Sequence, residues 1–140
     1  VLLRLNNNAR GSIWVSSAAT GGENGLKIRV YGTKGAVEWF QDDPNNLKFT
    51  ELEKPIKIIT RASKGVSNFS LSSSRLAAGH PEGFFEAFAN LYDGFADILQ
   101  GKKGDPAGLP GIESGIEGLK FITAAVNSSQ ANGAWQALRE

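Results

Sequence analysis

With 140 residues, 41% of them hydrophobic and 21% charged, the chain has the make-up of one folded domain with a single sizeable core. Fifteen Lys and Arg against 14 Asp and Glu leave a net charge of +1, too weak a field to hold a phosphate backbone, so nucleic acid is not an expected partner. Zero Cys and one His exclude disulfides, thiolate metal sites and His-cluster metal centres, and no apolar run approaches the roughly 18 residues of a membrane span. No signal-peptide pattern opens the chain, and the lack of Cys agrees with a reducing compartment, so a cytoplasmic location is expected. The chain starts at Val1, already in a strand pattern, and has no Met, which reads as a piece of a longer protein.

Residues 1–5 are a strongly apolar strand candidate, closed by an Asn- and Gly-rich turn at 6–11. Residues 12–19 follow as its hairpin partner, with Ile13 and Val15 on one face and Trp14 and Ser16 on the other. Past a Gly-rich loop at 20–25 the alternation is regular: Leu26, Ile28 and Val30 point one way, Lys27, Arg29 and Tyr31 the other. A turn at 32–35 leads to a strand at 36–39, and 47–52 and 56–60 are two more, split by Glu53, Lys54 and Pro55. Such short links favour antiparallel neighbours. Residues 61–79 form a Ser-rich segment of roughly 19 residues, longer than connections usually are, and are read as a loop with functional potential.

Phe84, Phe85, Phe88, Leu91, Tyr92, Phe95, Ala96 and Leu99 recur at three- and four-residue intervals and predict an amphipathic helix of about five turns within 79–103. Pro81 suits its first position, His80 its N-cap, and Lys102, Lys103 and Gly104 its end. The Phe-rich stripe is read as core. After a linker at 104–111 a second helix is predicted over 112–130, stopped by Asn132 and Gly133, with Gly115 and Gly118 suited to close approach and Gly94 a matching flat spot on the first helix. Residues 135–138 are a candidate last strand. The expected class is α+β: an open, predominantly antiparallel sheet of about six strands with two helices packed on one face, in a single domain spanning 1–140. The helices are expected on the side of Ile13, Val15, Leu26, Ile28 and Val30. The opposite side, with Trp14, Lys27, Arg29 and Tyr31, is the expected contact of a homo-oligomer.

The loop at 20–25 is similar to a dinucleotide-binding turn in being Gly-rich and following a strand, but Thr20 replaces the first Gly and a strand pattern follows instead of a helix. Glu53-Lys54-Pro55 matches a catalytic triplet of one dehydrogenase family, yet here it joins two strands and reads as a turn. His80 is the one residue able to act as an unperturbed acid or base near neutral pH, and it follows a long loop; it is a ligand contact or a structural cap. Arg75, in that loop, is suited to an anion or a cluster of hydroxyls, or to solvent.

Three blocks, LKIRVYGTKGAVEW at 26–39, GHPEGFFEAFA at 79–89 and GIEGLKFI at 115–122, resemble the C-terminal domain of the Gfo/Idh/MocA family of NAD(P)-dependent oxidoreductases, in the same order and over nearly the whole chain. The resemblance implies a domain that follows an N-terminal Rossmann domain, supplies much of a sugar or polyol pocket, and mediates oligomerisation through its sheet. The family's dinucleotide loop, its catalytic Lys and its Asp and His acid/base pair are expected upstream of Val1, so Lys54 is given no catalytic role. No catalytic, cofactor-binding or metal residue is assigned to this segment, which is expected to be inactive alone and to bind neither NAD nor NADP. Arg75 and His80 are the expected substrate-binding residues. The alternative is a stand-alone, non-catalytic binding or assembly module built on the same sheet.

Overall fold

Period-two alternation becomes a meander of four strands, β3 (Lys27–Tyr31), β4 (Gly35–Phe40), β5 (Asn46–Glu51) and β6 (Lys57–Thr60), in a computed structural model that describes residues 1–102 and 109–138. They pair antiparallel in the order β3-β4-β5-β6, with Val30 opposite Val37, Val37 opposite Phe49 and Leu47 opposite Ile59. Cross-strand partners share a face, so one side of this sheet carries Ile28, Val30, Val37, Trp39, Leu47, Phe49 and Ile59. The other carries Lys27, Arg29, Tyr31, Glu38, Lys48 and Thr50. Glu38 there accepts from Lys48 and Lys27, which hold its carboxyl below the usual range. Gly35 begins β4 where the neighbouring backbone presses close: a Cβ at this position would lie 2.4 Å from the Thr50 carbonyl oxygen.

The chain divides into two compact units, Val1–Ala19 with Pro110–Glu140, and Thr20–Leu109. In the first, β1 (Leu2–Arg4) and β2 (Arg10–Ser12) form a separate two-stranded antiparallel sheet. The α+β class and the antiparallel pairing stand, with the six strands shared between two sheets. The second strand is corrected: it covers Arg10–Ser12, with Ile13 still exchanging backbone bonds with Val1, and 14–19 have no ladder partner among the described residues. β2 and β3 belong to different sheets, so the expected single face of Ile13, Val15, Leu26, Ile28 and Val30 is not formed as one sheet side, and Ile28 and Val30 are 57% and 55% exposed.

α3 (Ile112–Gln130) keeps the expected bounds, and Gly133 donates to the Ser128 carbonyl to close it. Residues 134–138 form no strand, since among the described residues they have no ladder partner; Trp135 instead lies under the Arg4 guanidinium, 3.9 Å from its ring centre. A cavity of about 360 Å³ separates α3 from 136–138, lined by Ile116, Leu119, Thr123 and Leu138 among others. No atom within 4 Å would meet a Cβ at Gly115 or Gly118, whereas at Gly94 the Leu109 side chain stands 3.0 Å away, so the flat spot on the first long helix accommodates Leu109.

α2 (Phe84–Leu99) is that helix, and its start differs from the expected one: Gly83 is the N-cap, His80 lies three residues earlier, and Pro81 is outside the helix. Its end is set by Lys102 and Gly101 N–H groups donating to the Asp97 and Ile98 carbonyls, the paired bonds of a Schellman motif. Lys103 and Gly104, expected as stop signals, and most of the expected linker lie outside the described residues. The Phe-rich stripe, expected as core, is an exposed apolar surface among the described residues: Phe84, Phe88 and Phe95 are 65%, 46% and 56% exposed. Three- and four-residue spacing suffices to form the helix; covering its stripe takes a partner surface. No described helix is long and apolar enough to cross a membrane.

Candidate functional site

The Ser-rich segment is not a plain loop. Ser67 accepts from the Ser70 N–H and caps a one-turn helix, α1 (Asn68–Ser72), a signal present in the sequence as a cap residue ahead of Phe69 and Leu71. Beyond it, residues 75–83 fold around two side chains that sequence reasoning had not paired, Arg61 and Glu82. Arg61 follows the end of β6, where its backbone N–H donates to the Asn45 carbonyl. Its side chain meets the Glu82 carboxylate at 2.7 Å, and the two side chains are only 16% and 6% exposed.

Glu82 does more than neutralise that cation. Its oxygens also accept the backbone N–H groups of Arg75 and Leu76, at 2.9 Å each in the shorter contacts. Glu82 so held lies just before Gly83, the N-cap of α2. Glu86, one turn into the helix, accepts the Gly83 N–H at 2.9 Å. That bond holds its carboxyl below the usual range, with smaller help from Arg61 and Arg75.

Arg61 organises the carbonyls of the same loop. It donates to the Leu76 oxygen at 2.8 Å, to that of Ala77 at 3.3 Å and to that of His80 at 2.8 Å, and its Nε reaches Asn45 Oδ1 at 2.9 Å. The turn so gathered closes through the His80 N–H on the Ala77 oxygen, with Gly79 at φ +86°, the pattern of a type II turn that favours Gly at this place.

His80 and Arg75, the two expected substrate contacts, are thereby joined through one network, by the His80 carbonyl and the Arg75 N–H. The His80 side chain is exposed, and its Nδ1 lies 3.3 Å from the Ala77 oxygen. A carbonyl only accepts, so this contact favours the neutral tautomer with its proton on Nδ1, in which Nε2 is an acceptor; Nε2 has no hydrogen-bond partner among the described residues. The Arg75 side chain is drawn to α2, donating from Nε to Asn90 Oδ1 at 2.8 Å and from one terminal nitrogen to Asp93. Asn90 in turn donates to the Ser73 carbonyl, tying the loop to the helix from the other side. An imidazole acceptor and a partly spent guanidinium each suit neutral, hydroxyl-bearing ligands better than a free anion.

The loop at 20–25 runs into β3, so it offers no helix N-terminus to a pyrophosphate. Glu53-Lys54-Pro55 is the β5–β6 turn, where Lys54 and Lys57 flank Glu51 and bring its carboxyl down to about 2, the Lys54 hydrogen bond contributing most.

Residues 1–138 match the model of an oxidoreductase family's C-terminal alpha/beta domain, GFO_IDH_MocA_C. The uncharacterized oxidoreductase YfiI of Bacillus subtilis is 32% identical over 96% of this chain, which spans 36% of that protein. An oxidoreductase from Sinorhizobium meliloti superposes with a TM-score of 0.85 at 46% identity, over 92% of this chain and 36% of its own. An inositol dehydrogenase homolog from Azotobacter vinelandii, crystallised with NADH and myo-inositol, does so with a TM-score of 0.86 at 34% identity, over 96% of this chain and 37% of its own.

Proposed function

Because the chain belongs to the C-terminal-domain family of the Gfo/Idh/MocA oxidoreductases, we propose that it is the substrate-binding and oligomerisation domain of a cytoplasmic NAD(P)-dependent dehydrogenase acting on a sugar, polyol or related hydroxy compound. In this reading residues 1–140 are one domain, the cofactor is held by a Rossmann domain elsewhere in the parent, and this segment alone neither binds the dinucleotide nor oxidises substrate. The observation that carries the substrate assignment is His80: an exposed imidazole whose Nδ1 rests on the Ala77 oxygen and whose Nε2 has no partner among the described residues, on a loop that Arg61 holds. Nε2 accepts from a substrate hydroxyl, and Arg75 donates to a neighbouring hydroxyl oxygen from the guanidinium nitrogen not spent on α2. The myo-inositol bound by the Azotobacter homolog is a compound of this class and supports the choice.

Steady-state oxidation of myo-inositol and a panel of sugars with NAD and NADP by the full-length protein tests this. His80→Ala is expected to raise KM for the preferred substrate about tenfold, the scale of one lost charge-free hydrogen bond in a closed site; an unchanged KM and kcat would remove His80 from the site. Self-association is assigned to the polar side of the four-stranded sheet, where Tyr31 is 74% exposed beside Lys27 and Arg29. Trp14, 81% exposed, is the candidate in the other unit. Light scattering of a Trp14→Glu, Tyr31→Glu variant is expected to show a smaller assembly than the wild type, and an unchanged mass would move the contact elsewhere.

A further inference from the structure

The Arg61 guanidinium makes four hydrogen bonds and one ion pair. Nε donates to Asn45, one terminal nitrogen donates to the Leu76 carbonyl and lies 2.7 Å from the Glu82 carboxylate, and the other donates to the carbonyls of Ala77 and His80. Three of these acceptors are main-chain oxygens of a single five-residue turn. The Ala77 oxygen is also the atom that the imidazole Nδ1 approaches, so guanidinium and imidazole share one acceptor. Lysine could not take this place: its three donors radiate from one atom, whereas the planar fork reaches acceptors spread over a turn.

We propose that Arg61 is the positioning residue for His80. Its role is to hold the 76–80 turn so that the imidazole presents Nε2, as an acceptor, to a substrate hydroxyl. Arg61 itself touches no substrate; Glu82 keeps the guanidinium in place and Asn45 aims it. The inference rests on the proposed substrate contact of His80 and adds to it the device that orients the ring.

A double-mutant cycle in the full-length oxidoreductase decides the matter, with KM and kcat measured for the polyol it oxidises best. Arg61→Lys is expected to raise KM three- to tenfold in the wild-type background and to have no further effect in the His80→Ala background, because a positioning residue has nothing left to position. A purely structural Arg61 would give effects that multiply, and that result overturns the inference while leaving the His80 contact intact. A His80→Ala variant with wild-type KM and kcat overturns the His80 reading, and the inference with it. Should Arg61→Lys fail to fold, Asn45→Ala removes only the Nε acceptor, and the same non-additivity with His80→Ala is required of it. An imidazole nitrogen spectrum adds a readout outside kinetics: the His80 signal, assigned by its loss in His80→Ala, is expected as the Nδ1–H form in the wild type and as a tautomer mixture in Arg61→Lys. An unchanged tautomer in Arg61→Lys overturns the proposal.

Discussion

The four-stranded sheet and the segment at 61–83 are held together in opposite ways. In the sheet each strand is fastened by a ladder of repeated backbone bonds, and side-chain pairs such as Glu38 with Lys48 add to a structure that is already closed. In the segment, order converges on one guanidinium and one carboxylate, which between them take up three carbonyls and two N–H groups of the same loop. Repetition spreads a loss over many bonds, whereas convergence concentrates it. A single substitution should therefore be felt far more sharply in the segment than at most places in the sheet.

Arg61→Ala is the strongest way to test that contrast. It strands a carboxylate whose side chain is 6% exposed, and breaking such a pair typically costs about 3–5 kcal/mol. Denaturant melts of the full-length protein, with hydrogen exchange at the Arg75 and Leu76 amides, are expected to show the loss centred on the loop; full protection at these amides would contradict it. Gly35→Ala probes the one place in the sheet where a single atom has no room, 2.4 Å from the Thr50 oxygen, and should destabilise by about 1–3 kcal/mol. A thermal midpoint equal to the wild type would show that β4 and β5 yield freely.

Arg75→Ala removes a more exposed pairing with Asp93, whose side chain is 71% exposed, and should cost about 1 kcal/mol or less. A loss as large as that of Arg61→Ala would place the hub of the network at the wrong arginine. The smallest effect belongs to the β5–β6 turn. Glu51 titrates at about 2 in the folded chain against an ordinary value of 4.5, so the stability from its Lys54 and Lys57 partners is fully present above pH 4.5 and is lost as pH falls toward 2. A carboxyl-carbon titration should put its midpoint near 2 and move it upward in Lys54→Ala; a wild-type midpoint near 4.5 would mean that the lysines do not hold it.

Strand and helix patterns were readable wherever the cause of structure is local. β3 through β6 follow from alternation and short turns, and α3 from its spacing and the Asn132-Gly133 stop. The same sequence misleads at 14–19, where alternation continues but no ladder forms among the described residues, because a strand needs a neighbour as well as a pattern. At the start of α2, Pro81 and Glu82 carry good first-turn chemistry, yet Glu82 is claimed by Arg61 and by two amides from seven and six residues upstream.

For the site, the sequence by itself singled out His80 and Arg75, since rare chemistry beside a long connection is visible without coordinates. It determined as well the α+β class and, through three spaced blocks, the family. Only the tertiary structure decided that Arg61 and Glu82, separated by a Ser-rich stretch with no periodicity, meet and organise that connection. A guanidinium that binds the carbonyls of residues 76, 77 and 80 reads backbone atoms, and backbone atoms are the same whatever the residue. Such a contact leaves no mark in the pattern of side chains, so it becomes visible only when the chain has folded around it.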